Sequence, residues 1–396
     1  MTTDSIASPR ARFEIRHATY LATLFCLLVG PRLCAAAKEH RVVGMVAGQH
    51  IDAMADSPCV SEYVNALNQR MEMSETLDSA IKKADAAPLN AGTLRDLSAL
   101  TSVDLATLYF TARLYRDTQN RIYQDAFAEL TEHYHASGPD KIGNSIPLNR
   151  YTLAFVPGYG YKMDTSTGSD FARQRALMAR LGIGTVLIET NETGTVEENA
   201  TIIADNVRQL GEDGEEVIIV SASKGGPEVA LALGEIMSHE DARFVKAWIS
   251  IGGVLRGSPM ADHMLGWPRR WLVATVGRLL GHPKGIAKNL STDVRGEVFE
   301  RIAIPEHILT VQYVGAPLCS QVRRETRKRY ATLHPLGPND GLTLLPDELV
   351  EGGIAVTDIG LDHYYRDSMI DMKTLALTQL VIGKLADREC SVALEK

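Results

Sequence analysis

Cysteine is scarce: the chain has five in 396 residues, and two of them, Cys26 and Cys34, lie in a segment expected to be removed. Cys59, Cys319 and Cys390 remain, which allows at most one disulfide, and a chain of this length does not need one. No cysteine or histidine spacing matches a zinc site. Neither a P-loop nor a Gly-x-Gly-x-x-Gly turn opening a helix is present, so metal- and cofactor-led chemistries have little footing, and no cofactor is expected. Excess positive charge is also missing. With 41 Lys+Arg against 49 Asp+Glu the formal charge is −8, which argues against a protein that works by neutralising nucleic-acid phosphates.

A bilayer-spanning run is lacking too. The apolar stretch 20–30 (YLATLFCLLVG) has 11 residues, roughly half of what a spanning helix needs. Arg10, Arg12 and Arg16 precede it, and Ala35-Ala36-Ala37 follows with small side chains for a signal peptidase. Residues 1–37 therefore read as a cleaved secretory signal peptide, implying a secreted or periplasmic protein. Cleavage removes four basic and two acidic residues and takes the net charge from −8 to −10.

What is present is an ordinary globular composition, 45% hydrophobic and 23% charged with 32 Gly and 16 Pro, which excludes disorder and collagen. The length suits one large domain with insertions, or a main domain with a companion of about 100 residues. The texture changes near residue 150. Residues 38–150 are expected to form a helical N-terminal region, its best stretch running from Ser102 as N-cap through Leu105, Leu108, Ala112, Tyr115, Ile122, Phe127 and Leu130. From 151 to 390, short apolar runs alternate with helical spacing. The runs are 151–156 (YTLAFV), 185–188 (TVLI), 217–220 (VIIV), 245–251 (VKAWISI), 308–314 (ILTVQYV) and 353–356 (GIAV). Helices are expected at about 171–181, 198–210, 227–237 and 364–385. Buried strands alternating with helices predict an α/β domain, a mostly parallel sheet with helices on both faces.

Active sites on such sheets lie at the carboxyl ends of the strands, so the residues that follow each run carry the functional signal. After 217–220 comes Ser221-Ala222-Ser223-Lys224-Gly225-Gly226, then Pro227 opening a helix. A serine with small residues two before and two after it, between strand and helix, suits a nucleophile elbow: the turn is sharp, and its neighbours must be small for strand and helix to approach. Ser223 is the candidate nucleophile. A serine hydroxyl needs a histidine to take its proton and a carboxylate to orient that histidine, and in this architecture they follow in the order Ser, Asp or Glu, His. Asp340 stands in the turn Gly337-Pro338-Asn339-Asp340-Gly341, and His363 follows the run at 353–356. Each alone is an ordinary turn or capping residue. Together, in order and after the right strands, they form a catalytic set.

An acyl-transfer site also requires backbone N–H donors for an oxyanion. Lys224, the residue after the nucleophile, should supply one. The loop Pro157-Gly158-Tyr159-Gly160 after the first core strand should supply the other from Tyr159, with Gly158 letting the backbone approach the substrate.

These residues make the chain similar to the α/β-hydrolase superfamily, and within it to secreted bacterial lipases and esterases. The resemblance covers roughly 150–390. It rests on the elbow at Ser223, Asn339-Asp340-Gly341-Leu342, Leu361-Asp362-His363, and Arg256-Gly257-Ser258-Pro259-Met260-Ala261-Asp262, which resembles the RGSPxAD stretch of those lipases. It implies hydrolysis of a small-molecule or lipid carboxylic ester through an acyl-enzyme, usually without an organic cofactor. The chain departs from the pattern where Ser221 replaces the usual glycine, Lys224 the usual His or Gln, and Pro157 the histidine of the oxyanion motif. Acyl transfer, thioester cleavage and a catalytically silent binding protein are the alternatives on the same fold.

Three features stand apart. The insertion at about 257–306 carries Trp267, Trp271, Val276 and Leu280 at helical spacing, expected either as a substrate-binding cap or lid or as a helix packed on the core. Residues 322–330 hold Arg323, Arg324, Arg327, Lys328 and Arg329, a solvated face or a contact for anionic head groups on a lipid surface or for an acidic partner. His133 and His135 make an HxH pair without further ligands and are expected at the surface.

Overall fold

The computed structural model describes residues 40–138, 148–266 and 285–394. Residues 1–37, for which a signal peptide is expected, and the tryptophan-bearing part of the insertion, with Trp267 and Trp271, lie outside the described residues.

The sequence predicts a helical N-terminal region, but this region is not helical throughout. It opens with an antiparallel hairpin, β1 (His40–Val46) and β2 (Gln49–Ala55). Along β1 the burial alternates, with Val42, Gly44 and Val46 inside and Arg41, Val43 and Met45 exposed. Ala47 and Gly48 make the turn, both at positive φ (49° and 74°), as a two-residue hairpin requires. Ala47 occupies a position where Asn or Asp would have advertised that turn.

Five helices follow: α1 (Pro58–Leu67), α2 (Glu75–Asp85), α3 (Ala91–Leu100), α4 (Val103–Tyr115) and α5 (Thr118–Ser137). Ser102 caps α4 by accepting from Leu105 N–H, as its sequence position predicts, and Asp117 caps α5. From Val103 to Ala112 every residue of α4 is buried, so this helix is a core element and not a surface layer.

The remainder is a six-stranded parallel sheet in the order β4-β3-β5-β6-β7-β8. Its strands are β3 (Thr152–Val156), β4 (Thr185–Leu187), β5 (Val217–Ala222), β6 (Val245–Ile251), β7 (Leu309–Ala316) and β8 (Ile354–Ile359), all six at the expected apolar runs. Between and after them lie α6 (Ala172–Arg180), α7 (Val196–Glu212), α8 (Gly225–Leu231), α9 (Pro259–Leu265), α10 (Thr292–Arg301), α11 (Arg324–Leu333) and α12 (Ile370–Leu394). Residue alternation sorts the two faces. Phe155, Ile218, Ile249 and Val311 pack with α5, α6 and α12, whereas Ala154, Ile219 and Trp248 pack with α7, α8 and Phe299 of α10.

Two helices depart from the expected spans. Past Leu231 the helix at 227–237 widens into a π turn over Ala232–Ile236. The last helix starts at Ile370, not at 364, because Tyr365 sits at φ 45° and breaks the helical path.

The N-terminal region closes the sheet. β8 is an edge strand, and its outward N–H groups would template pairing with another chain if left open. Asn120 Oδ1 accepts Ala355 N–H (2.8 Å), Gln124 Oε1 accepts Thr357 N–H (2.8 Å) and Gln49 Oε1 accepts Ile359 N–H (2.9 Å). Three amide side chains thus stand where a seventh strand would pair. Asp104, fully buried in α4, accepts N–H groups from Asp56 and from Cys319 in the loop after β7, each at 2.8 Å. Burial, and after it the charge of Asp56, pushes its carboxyl up to about 6. No disulfide joins Cys59, Cys319 and Cys390.

From β3 the chain runs outward to β4, then returns to β5 on the other side of β3. That reversal opens a crevice at the carboxyl ends of β3 and β5.

Candidate active site

Ser223 lies immediately beyond β5 with φ 52°, a left-handed conformation that is strained for a residue with a Cβ and is associated with function more often than with packing. The surroundings hold it there. Ser223 N–H donates to Ile251 O (3.0 Å), and Ser223 O accepts from Gly226 N–H (3.0 Å) and Val254 N–H (3.2 Å). The turn needs glycine two residues on: a Cβ on Gly225 would stand 2.9 Å from Val156 O and 3.0 Å from Pro157 O, both backbone atoms that cannot give way.

The serine two residues before Ser223 has a partner of its own. Trp248 Nε1–H donates to Ser221 Oγ at 2.8 Å, and both residues are wholly buried. Ser221→Ala should therefore leave an indole N–H unpaired in the core and lower stability by about 1–3 kcal/mol, measured by denaturant unfolding. A loss within a few tenths of a kcal/mol would mean that the Trp248 bond is dispensable.

Lys224 opens α8, but its side chain turns inward and pairs with Glu228; both are almost fully buried. Glu228 also accepts from Asn199 Nδ2 (2.7 Å), and Asn199 holds Asn191 through both its N–H and its carbonyl, each at 2.9 Å. Burial pushes the Glu228 carboxyl up to about 7 against the pull of the Lys224 ammonium. This network fastens the turn after Ser223 to α7 and to the loop after β4. The sequence offered Lys224 for its backbone alone.

Ser223 Oγ lies 2.9 Å from His363 Nε2, and His363 Nδ1 lies 2.5 Å from Asp340 Oδ2. Asp340 is fully buried, and its Oδ1 accepts Leu342 N–H and Thr343 N–H, each at 2.8 Å. The Asp340 carbonyl also accepts His363 N–H at 3.0 Å. Backbone and side chain of one aspartate thus fix one histidine. The other carboxylates of that stretch are engaged elsewhere: Asp358 accepts from Tyr313 Oη (2.5 Å) and Lys373 Nζ (2.6 Å). Burial raises the Asp347 carboxyl to about 6, opposed by Arg256.

The stretch Arg256–Asp262 braces the aspartate loop. Ser258 Oγ donates to Leu342 O (2.5 Å), Thr343 Oγ1 donates to Gly257 O (2.9 Å) and Arg256 donates to Leu349 O (2.7 Å). The histidine loop has its own brace, Tyr365, whose hydroxyl accepts Gly315 N–H (2.7 Å) and donates to Tyr313 O (2.8 Å). Gly252 makes room for it, since a Cβ there would fall 2.7 Å from the Tyr365 ring. Neither function was legible in the sequence. Nor was Glu348, wholly buried, whose carboxyl is raised well above the ordinary range by burial and next by Asp340 and Asp347.

A cavity of about 380 Å³ opens onto Ser223 and His363. Gly158 and Tyr159 line it, with Gly158 N–H bonded to Ser169 O (3.2 Å). Phe171, Ile251 and Ile370 give it apolar surface, and Tyr364 and Arg366 stand at the side of His363. The polar loop 165–170 contributes another wall that the sequence did not flag. His133 and His135 are exposed on α5, and among the described residues no group of three or more His, Cys, Asp or Glu could hold a metal ion.

No protein-family model matches the chain, and no curated protein matches it. Among solved structures, the metagenomic carboxyl esterase MGS0156 is similar at TM-score 0.52 and 18% identity, over 65% of this chain and 91% of that one. The fold is the α/β-hydrolase fold. The mature lipase BlEst2 from Bacillus licheniformis overlaps at TM-score 0.48 and 18% identity, over 62% of this chain and 96% of that one. Within an α/β-hydrolase fold the turn after β5, the loop after β3 and the loop after β8 meet at one end of the sheet, and here they bring Ser223, Tyr159 and His363 to a single cavity.

Proposed function

We propose that the protein is a serine hydrolase of carboxylic esters. The observation that supports this is the hydrogen-bonded line from a positive-φ serine through His363 to a fully buried carboxylate, beside a cavity with apolar walls. Ser223 Oγ attacks the ester carbonyl carbon while His363 Nε2 takes the hydroxyl proton. The carbonyl π electrons move to oxygen, and the resulting oxyanion is held by the N–H groups of Lys224 and Tyr159. Lys224 lies at the start of α8, where backbone N–H groups are not used within the helix. Gly158 has given its own N–H to Ser169, which makes Tyr159 the donor from that loop.

Asp340 accepts from Nδ1–H, keeps the imidazole in the tautomer that can receive a proton at Nε2, and stabilises the imidazolium. That proton then passes to the leaving oxygen as the C–O bond breaks and the acyl group stays on Ser223. Water enters, gives its proton to His363 and attacks the acyl carbon. The acid departs as the proton returns to Ser223 Oγ.

A fluorophosphonate probe tests the assignment, because it phosphonylates only an activated serine. Mass spectrometry of the labelled, folded protein should place the adduct on Ser223. An adduct on another residue, or none, would overturn the reading.

A further inference from the structure

Tyr364 and Arg366 follow His363 and line the cavity. The Tyr364 ring meets two guanidinium groups, Arg329 at 5.1 Å and Arg366 at 5.3 Å from its centroid, and Arg329 also donates to the Tyr364 hydroxyl at 2.7 Å. Arg329 comes from α11. Residues 323–329 hold five cations against one carboxylate, Glu325, in a chain of net charge −8. Arg323, Arg324, Arg327 and Lys328 are exposed.

This basic segment is fastened to the cavity wall. Asp362 Oδ2 accepts Arg323 N–H (3.1 Å), and the Arg323 guanidinium donates to the Arg366 carbonyl. Other charges at the mouth are committed. Asp367 pairs with Lys373, and Arg173 pairs with Asp371 (2.8 Å) while donating to the Asp367 and Ser368 carbonyls. Asp170 accepts Ala172 N–H at 3.1 Å. Arg366 faces Glu325 at 3.6 Å, a carboxylate 56% exposed, and its Nε has no hydrogen-bond partner among the described residues.

The geometry points to an anion subsite at this mouth: Arg366 takes a phosphate or carboxylate carried on the alcohol part of the ester, Arg329 holds Tyr364 beside it, and the cations of α11 supply the field that draws the anion in. The alcohol side follows from proton transfer. His363 delivers its proton to the leaving oxygen, so the leaving group lies where Tyr364 and Arg366 continue the chain. Guanidinium suits the task because its planar fork pairs with two oxygens at once. The inference rests on the ester-hydrolase reading for the identity of the ligand, but its binding step does not need turnover.

Ser223→Ala protein, which lacks the nucleophile, should bind phenyl phosphate roughly tenfold or more tightly than phenol in calorimetry, with affinity falling as salt rises. Adding Arg366→Gln should abolish the difference, and Arg366→Lys, which keeps the charge but loses the fork, should restore part of it. In the unmodified chain, kcat/KM for the butyrate ester of 4-hydroxyphenyl phosphate should exceed that of phenyl butyrate. The preference should sit in KM and shrink in Arg366→Gln and Arg329→Gln. Vesicles separate the sources of the anion. Sedimentation with phosphatidylcholine vesicles only when phosphatidylserine is included, lost in Arg324→Gln/Arg327→Gln/Lys328→Gln, identifies a lipid head group; phenyl phosphate binding without sedimentation identifies a soluble anionic ester. Equal binding of phenyl phosphate and phenol, or a difference untouched by Arg366→Gln, overturns the subsite. Hydrolysis lost with phosphate binding retained counts against the hydrolase reading alone.

Discussion

Ser223→Ala should reduce turnover of a simple aryl ester by roughly 10⁶-fold, leaving only the rate that oxyanion stabilisation and substrate binding give over water. The substitution removes one oxygen, which meets His363 Nε2 at 2.9 Å. The Cβ stays, so the turn keeps its left-handed backbone, and Gly226, Val254 and Ile251 keep their bonds to it. Stability should shift by no more than about 1 kcal/mol, the net value of an ordinary hydrogen bond. Turnover and denaturant unfolding measured on the same preparation test both halves of the statement. Undiminished turnover by folded Ser223→Ala protein would remove Ser223 from the chemistry.

The six core strands were legible because each is a short run rich in β-branched, aliphatic or aromatic residues, buried on both faces in β3, β5, β6 and β7 and only partly buried in the edge strand β4, a signal that survives without knowledge of the partners. The elbow was legible for a related reason. Gly225 must pass against the Val156 and Pro157 carbonyls, and a requirement that local leaves its mark in the sequence. The hairpin escaped because Ala47 adopts the left-handed turn with no turn-forming side chain to announce it. The role of the N-terminal region escaped for a deeper reason. Asn120 and Gln124 are ordinary amides on a helix, and only the fold, across more than 200 residues of chain, brings them to the open edge of β8. Likewise Arg256–Asp262 could be read as a motif but not as a brace, since its partners Leu342, Thr343 and Leu349 are some 90 residues away.

That brace sharpens the second large effect. Asp340→Asn should lower kcat by about 10⁴-fold while changing KM little, because the wrong histidine tautomer is enforced. The direction follows from the aspartate's own contacts. Oδ1 accepts from Leu342 N–H and Thr343 N–H, two donors that require an acceptor oxygen opposite them. An asparagine must therefore put its carbonyl there and turn its NH₂ toward His363 Nδ1. Facing a donor, Nδ1 gives up its proton, Nε2 carries it, and the imidazole can no longer receive one from Ser223. The turn itself survives, so the protein should fold normally. Asp358→Asn is the control within the same stretch, since that carboxylate serves Tyr313 and Lys373; it should cost stability and leave kcat of the folded fraction within a few fold. A fall in kcat for Asp358→Asn with Asp340→Asn near normal would transfer the orienting role and break the line from Ser223 to Asp340.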